Sequence, residues 1–236
     1  DIVFFADQDD KWLPDKTAAL QKVLLETDAA MVYDQSYLID QNGQVIKEPK
    51  VSGERRERDL AWLLKKWPSG YQTAFRQSVL TDILQQQYTD YPGFDYHDVL
   101  FGMLAPLYGK VVCLDQLLDQ HRIHQANVTQ SASSLSFNKT RLSRINYLQK
   151  VISRYESVQK IAEERQISEA DHRQVTKALA LTNLRLKLLQ SRNPFWALGL
   201  MFQIREYRTI KDFISDLVYT YSLNGVARRL LKKFGR

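Results

Sequence analysis

Cysteine is nearly absent from this sequence of 236 residues, which contains only Cys113. A single cysteine cannot form a disulfide within the chain, and no Cys-x-x-Cys or mixed Cys/His zinc pattern is present. We therefore expect the protein to work in a reducing cytoplasm. Cys113 lies in the apolar run 111–114, where a buried core thiol is far more common than a reactive one.

Long apolar runs are missing as well. The longest, Phe195 to Phe202, is much shorter than the roughly 20 residues that a bilayer-spanning helix needs, and no signal-peptide pattern is present. The chain opens without methionine, directly on the apolar run Ile2 to Ala6. Such continuous runs are typical of buried parallel strands. We therefore expect the sequence to start inside a sheet, as a fragment or a truncated product of a longer protein.

Net charge is absent from most of the chain and concentrated at its end. The whole excess of +6 comes from residues 192–236, which contain nine Lys or Arg against three Asp or Glu. Because this segment also contains the apolar stretch Phe195 to Phe202, we predict that residues 193–236 form amphipathic helices that rest on an anionic membrane. A helical subdomain packed back on the protein, with a solvated basic end, is the alternative. No nucleic-acid partner is expected, since the folded body carries no basic stripe.

Strand and helix patterns alternate in the first part of the chain. Apolar residues at 20, 23 and 24 have helical spacing, and Asn42-Gly43 is a strong hairpin signal. The polar stretch 48–58 is predicted to be a mobile loop, and Asp95 is predicted to cap the following helix.

Only long helical patterns follow after about residue 136, in the stretches 136–165 and 168–190. We predict an α/β domain over residues 1–131 and an all-helical region over residues 132–236. A serine-rich linker at 131–136 would join them.

Three carboxylates lie within four residues at the end of the first predicted strand: Asp7, Asp9 and Asp10. Their mutual repulsion is costly unless solvent or a cation relieves it. Mg²⁺ is commonly held by one or two carboxylates together with substrate phosphates. A solvated acidic turn that caps the next helix is the alternative.

Three stretches, in order, resemble family 2 glycosyltransferases with the GT-A fold, particularly the bacterial rhamnosyltransferase-like enzymes. They are the Asp-x-Asp region at 5–16, the His-Asp segment at 96–98 and the closing segment at 120–127. In the last of these, Gln120 and His121 depart from the usual residues. The resemblance covers about residues 1–130. It implies the C-terminal part of a GT-A domain with a Rossmann-like mixed sheet, lacking the N-terminal nucleotide-binding half.

The resemblance also implies roles for individual residues. Asp7 and Asp9 would bind the donor, and Asp9 with His124 would ligate Mg²⁺ or Mn²⁺. Arg122 and His124 would meet the diphosphate, a role that suits the planar guanidinium of arginine. Asp98 would be the general base for the acceptor hydroxyl. The alternatives are a surface loop with two basic residues, and a first-turn acid favoured by the helix dipole.

A further stretch corresponds to the family segment that borders the acceptor pocket. It contains Trp67, Gly70 and Tyr71. A glycine lets the backbone approach a sugar closely, and an aromatic face can stack on one. Trp67 could equally be a core residue.

Taken together, these expectations describe a metal-dependent enzyme of bacterial surface polysaccharide synthesis, located on the inner face of the cell membrane. It would transfer a sugar from a nucleotide-sugar donor to a glycan or lipid-linked glycan, with inversion. Two alternatives remain at this stage. One is a catalytically incompetent fragment that serves as a membrane-associated scaffold or partner-binding module, and the other is a metal-dependent phosphohydrolase.

Overall fold

The computed structural model describes residues 1–123 and 140–223. The chain divides into two compact units, Asp1–Val128 and Thr129–Arg236. Some earlier predictions fall on residues outside the described ranges: the linker at 131–136, the ligand His124 and the last part of the basic segment, at 224–236. The predicted fold class is confirmed, because a mixed α/β unit precedes a unit in which every described element is helical.

The first unit is built on a seven-stranded mixed sheet. The strands are β1 (Ile2–Phe4), β2 (Lys11–Trp12), β3 (Met31–Ile39), β4 (Val45–Lys47), β5 (Arg55–Arg58), β6 (Thr73–Arg76) and β7 (Val111–Arg122). Five of them lie side by side in the order β1-β6-β3-β7-β2. β3 and β7 run parallel to each other, while β1 pairs antiparallel with β6 and β6 antiparallel with β3. β4 pairs with β3, and β5 and β2 pair with β7.

Helices cover both faces of this sheet. They are α1 (Lys16–Thr27), α2 (Leu60–Lys65), α3 (Gln77–Gln85) and α4 (His97–Leu104). The apolar side of α1, with Leu20, Val23 and Leu24, packs on the strands in one core cluster with Val32 and Val112. On the opposite face, neighbouring strand residues meet α2 and α4 through the ring pairs Tyr33–Trp62 and Phe75–Phe101. Strand alternation therefore sends successive side chains into two separate cores.

Several local predictions are confirmed and others are wrong. The hairpin between β3 and β4 forms as expected, with Gly43 at φ +84°. Residues 48–58 were predicted to be a loop, but Arg55–Arg58 forms β5 because its backbone pairs with β7. Asp95 does not cap α4, since the N-cap is Tyr96. β1 is half-buried and hydrogen-bonds only antiparallel to β6 among the described strands, rather than lying in a parallel pair.

The second unit consists of α5 (Arg141–Glu164), α6 (Glu169–Ser191), α7 (Pro194–Phe202) and α8 (Ile210–Thr220). Side-chain caps mark their starts, as at Thr140 and Ser168. One core cluster joins α6 to α7 and α8 through Leu188, Leu200 and Phe213. No described helix combines the length and the apolar character needed to cross a membrane.

A buried carboxylate ties three elements of this unit together. Asp216 on α8 is fully buried and accepts hydrogen bonds from Arg144 (2.8 Å) and Arg185 (2.7 Å). The hydroxyl of Tyr207 also donates to it at 3.2 Å. Burial disfavours the charged form of Arg185, but the charge of Asp216 and their hydrogen bond raise the pKa of this guanidinium above its ordinary value.

We predict that Asp216→Ala lowers the free energy of unfolding by about 3–5 kcal/mol, because it leaves two guanidinium groups without their buried counter-ion. The control Lys177→Ala removes an ion pair whose lysine is largely exposed, and such pairs contribute no more than about 1 kcal/mol. Urea denaturation of both variants provides the measurement. Losses of equal size would contradict this account of the ion cluster.

Candidate active site at the end of the sheet

Short β2 determines where the acidic loop lies. Lys11 and Trp12 pair with Gln120 and Asp119 near the end of β7. The loop at 5–10, which leaves β1 and enters β2, is therefore held beside the last residues of β7. In open α/β sheets such strand ends are where ligands bind.

Asp10 fastens the loop to β7. Its side chain is only 1% exposed, and it accepts a hydrogen bond from the backbone N–H of Arg122 at 2.9 Å. The same carboxylate lies 2.9 Å from Nδ1 of His121. Burial alone lowers the pKa of His121, but the hydrogen bond and charge of Asp10, with the charges of Asp7 and Asp9, raise it above its ordinary value.

Asp7 is the exposed acid of the cluster. Partial burial raises its pKa, the charge of Asp10 raises it further, and His121 and His97 oppose that rise. Asp7, Asp10 and His121 each offer a ligand atom, and these atoms lie within 4.8 Å of one another. Carboxylate oxygens suit Mg²⁺ or Mn²⁺, whereas imidazole nitrogen is a more usual ligand of Zn, Cu, Fe or Ni.

The side chain of Arg122 hydrogen-bonds to backbone carbonyls of two different loops. Its guanidinium donates to the backbone carbonyls of Asp9 (3.1 Å), Asp40 (3.0 Å) and Gln41 (2.9 Å). These bonds join the acidic loop to the hairpin between β3 and β4. The predicted contact between Arg122 and a diphosphate stays a prediction, as does metal ligation by the half-buried Asp9.

Asp98 lies half-buried in the first turn of α4, where its carboxylate accepts from the N–H of Val99 at 2.8 Å. Gly70 lies directly against this turn. A Cβ on Gly70 would lie 2.5 Å from Nε2 of His97 and 3.6 Å from Cβ of Asp98. The imidazole of His97 in turn packs edge-on against Phe5, with ring centroids 5.1 Å apart. The acidic loop, the 70–72 turn and the start of α4 are therefore close neighbours.

Tyr71 connects the turn to β7. Its ring stacks on the imidazole of His121 with centroids 4.4 Å apart and an interplanar angle of 6°. Gln72 adds a hydrogen bond from Nε2 to Oγ of Ser36 on β3, at 3.0 Å. Trp67 is half-buried, and its Cβ lies 3.2 Å from where a Cβ of Gly102 would be. Acceptor binding by these residues stays a prediction.

Beneath the site, Lys16 forms a fully buried ion cluster. Its ammonium donates to Asp34 on β3 at 2.7 Å and to Asp119 on β7. Burial raises the pKa of Asp34 well above its ordinary value, while Lys16 lowers it and Asp119 raises it. The cluster therefore ties the first turn of α1 to the two parallel strands β3 and β7. On β7 its member Asp119 lies two residues before His121.

The sequence interpretation missed several of these residues. No catalytic, binding or metal-ligating role was assigned to His121, His97, Lys16, Asp34 or Asp119. Asp34 and Asp119 nevertheless interrupt otherwise apolar strand patterns. That interruption was the available signal, because a charge in a buried strand requires a partner. Asp10 was noted among the acids but not assigned.

We predict a pH-dependent contribution from His121. Since its folded-state pKa is raised above the ordinary value of histidine, the stabilisation is fully present below the unfolded pKa and is lost as the pH rises through the folded pKa. The midpoint difference between wild type and His121→Gln should therefore shrink from pH 5.5 to pH 8.5 in thermal melts. His172→Gln on α6 is the control. A difference that stays constant with pH would contradict the Asp10–His121 pairing.

Comparisons with known proteins bear on this arrangement. No family model matches the sequence. An uncharacterized glycosyltransferase of Nostoc sp. is 26% identical over 140 residues, which is 57% of this chain and 43% of that protein. The chain thus spans less than half the length of this curated relative.

A solved structure shares the fold. The crystal structure of S. aureus TarS residues 1–349, in complex with UDP-GlcNAc, superposes with a TM-score of 0.50 at 14% sequence identity. The match covers 97% of this chain and 68% of that one. In sequence and in fold, this chain is therefore similar to glycosyltransferases.

Proposed function

We propose that this chain forms the catalytic part of an inverting enzyme that transfers a sugar from a nucleotide-sugar donor to a glycan or lipid-linked glycan in bacterial surface polysaccharide synthesis. The observation that carries the proposal is the convergence of the acidic loop, the 70–72 turn and the first turn of α4. Two relatives support the enzyme class, a Nostoc glycosyltransferase by sequence and TarS, solved with UDP-GlcNAc, by fold.

The donor side of the proposed site is acidic and suits a divalent cation. Asp9 and His124 are the ligands that the family resemblance implies, and Asp7, Asp10 and His121 offer atoms within 4.8 Å of one another. When bound there, Mg²⁺ or Mn²⁺ would act as a Lewis acid that stabilises the leaving diphosphate. Arg122 would support the donor by holding the loop through its three carbonyl contacts.

Asp98 carries the acceptor side of the proposed reaction. Its carboxylate takes the proton of the acceptor hydroxyl, while that oxygen attacks the anomeric carbon from the face opposite the diphosphate. The bond from the anomeric carbon to the diphosphate oxygen breaks, which inverts the configuration. Asp98 lies in the first turn of α4, where its carboxylate accepts a hydrogen bond from the N–H of Val99 at 2.8 Å. Trp67, Gly70 and Tyr71 would line the acceptor pocket.

Membrane contact is a second, separable part of the proposal. Residues 192–236 contain the whole basic excess of the chain next to its most apolar stretch. An anionic surface at the inner face of the cell membrane would attract such a segment. A lipid-linked acceptor would be found at that same surface.

We predict that Asp98→Asn lowers sugar transfer by about 10²–10⁴-fold, the usual contribution of a positioned general base. The amide keeps the size of the side chain, so binding of the nucleotide-sugar donor should be unchanged. The control Asp82→Asn alters an exposed acid on α3 and should leave turnover intact. Radiolabelled sugar transfer and donor titration provide the two readouts.

The two outcomes that would overturn this part of the proposal differ. Unchanged turnover in Asp98→Asn would remove the base assignment. Release of phosphate without any sugar transfer by wild type would instead favour the phosphohydrolase, and absence of both reactions together with partner binding would favour the scaffold.

Metal dependence gives a separate prediction. Incubation with EDTA should abolish transfer, and Mn²⁺ or Mg²⁺ should restore it, whereas Ca²⁺ should restore less because it prefers a larger coordination shell. Asp9→Asn should raise the Mn²⁺ concentration needed for half-maximal activity. Full activity in excess EDTA would show that the acidic loop works without a metal ion.

A further inference from the structure

Helix α7 exposes an unusual amount of apolar surface. Its nine residues include no charged side chain, and among them only Leu200 is buried. Four large apolar side chains face solvent, with exposed fractions of 77%, 51%, 57% and 84% for Phe195, Leu198, Met201 and Phe202 respectively. We call these four residues the α7 face. A concentrated apolar surface of this kind marks an interaction site more often than a single exposed residue does.

The opposite side of α7 packs against α6, which fixes the orientation of the α7 face. Leu200 packs with Leu181 and Leu188 of α6, and Trp196 joins the same cluster. The side chain of Asn193 caps the helix by accepting from the N–H of Phe195 at 3.0 Å. Since the inner side of α7 is anchored, its outer residues at 195, 198 and 202 share one side of the helix by their spacing.

Exposed cations flank α7 in the sequence. Arg192 precedes it, and Arg205, Arg208 and Lys211 follow it, all with exposed side chains. The three acids of this stretch have other partners. Glu206 pairs with Lys177 at 2.6 Å, and Asp212 lies 3.7 Å from Arg144. Asp216 is buried against Arg144 and Arg185. An apolar face with a basic border complements an anionic lipid surface in both respects.

Helix α8, the other described α-helix of the tail, differs from α7. Helix α8 buries Phe213, Val218 and Tyr219 in the second unit, which matches the alternative of a helix packed back on the protein. Of the two interpretations of this segment, packing back on the protein describes α8, and contact with an anionic membrane fits α7. Helix α8 also exposes Ile210 and Ile214, but α7 exposes four large apolar side chains and has no charged residue. We therefore place insertion into lipid at α7.

We propose that the α7 face inserts into the headgroup and upper acyl region of an anionic bilayer, with Arg192, Arg205, Arg208 and Lys211 meeting lipid phosphates. The inference rests on the membrane contact proposed above for residues 193–236 and not on sugar transfer. A second copy of the chain is a poorer occupant. A nine-residue helix is only about 14 Å long, too short by itself for the roughly 800 Å² per partner of a standard interface, and its basic borders would repel each other.

Vesicle flotation tests the proposal on the purified protein. Wild type should float with vesicles of 30% phosphatidylglycerol in phosphatidylcholine, and flotation should weaken in 0.5 M NaCl because salt screens the cations. Phe195→Ser/Phe202→Ser should reduce the bound fraction at least tenfold. The matched control Leu84→Ser changes a side chain of α3 that is 52% exposed and should float like wild type.

A second measurement covers the case in which the double variant misfolds. Phe202→Trp should gain fluorescence that brominated phosphatidylglycerol quenches. Absence of quenching, or equal flotation of wild type and the double variant, would overturn the proposal that the α7 face inserts into the bilayer. Concentration-dependent dimerisation that the double variant abolishes, without flotation of wild type, would overturn it in favour of a second copy. Flotation needs neither donor nor acceptor, so a negative result leaves the sugar-transfer proposal untouched.

Discussion

The carboxylate of Asp10 joins the acidic loop to the last residues of β7, and the candidate site depends on that junction. It receives the backbone N–H of Arg122 and the imidazole of His121 while itself almost completely buried. A buried charge is tolerated only when its hydrogen bonds are satisfied, so this position of the loop is strongly specified. Asp7 is consequently held at the surface, close to His121 and His97.

The buried Lys16 cluster supports the same junction from below. Lys16 comes six residues after Asp10 in the sequence, and its ammonium holds Asp34 and Asp119 on the two parallel strands. Removing one partner from such a cluster is costly, because the remaining charges stay buried. The relative position of β3, β7 and α1 is therefore determined by electrostatics as well as by the apolar contacts of α1. The second unit uses a similar arrangement around Asp216, with the signs of the charges reversed.

Much of the fold could be predicted from local patterns. The spacing of Leu20, Val23 and Leu24 indicated α1, and Asn42-Gly43 indicated the β3–β4 hairpin, because both signals lie within a few residues. β5 was missed because Arg55–Arg58 has no apolar alternation, and its strand character comes only from pairing with β7. The Lys16 cluster joins residues 18 and 103 positions apart, a separation that no periodicity can indicate. His121 was underrated because its partners, Asp10 and Tyr71, are brought to it by the sheet.

The stereochemistry of a transferred sugar tests the central claim most directly. The purified protein would be incubated with Mn²⁺, a panel of nucleotide sugars and a glycan acceptor, and the anomeric configuration of the product would be read from its proton NMR coupling. A single displacement at a base such as Asp98 predicts a product with the configuration opposite to that of the donor. A product of retained configuration, or donor hydrolysis with no glycoside formed, would contradict the account.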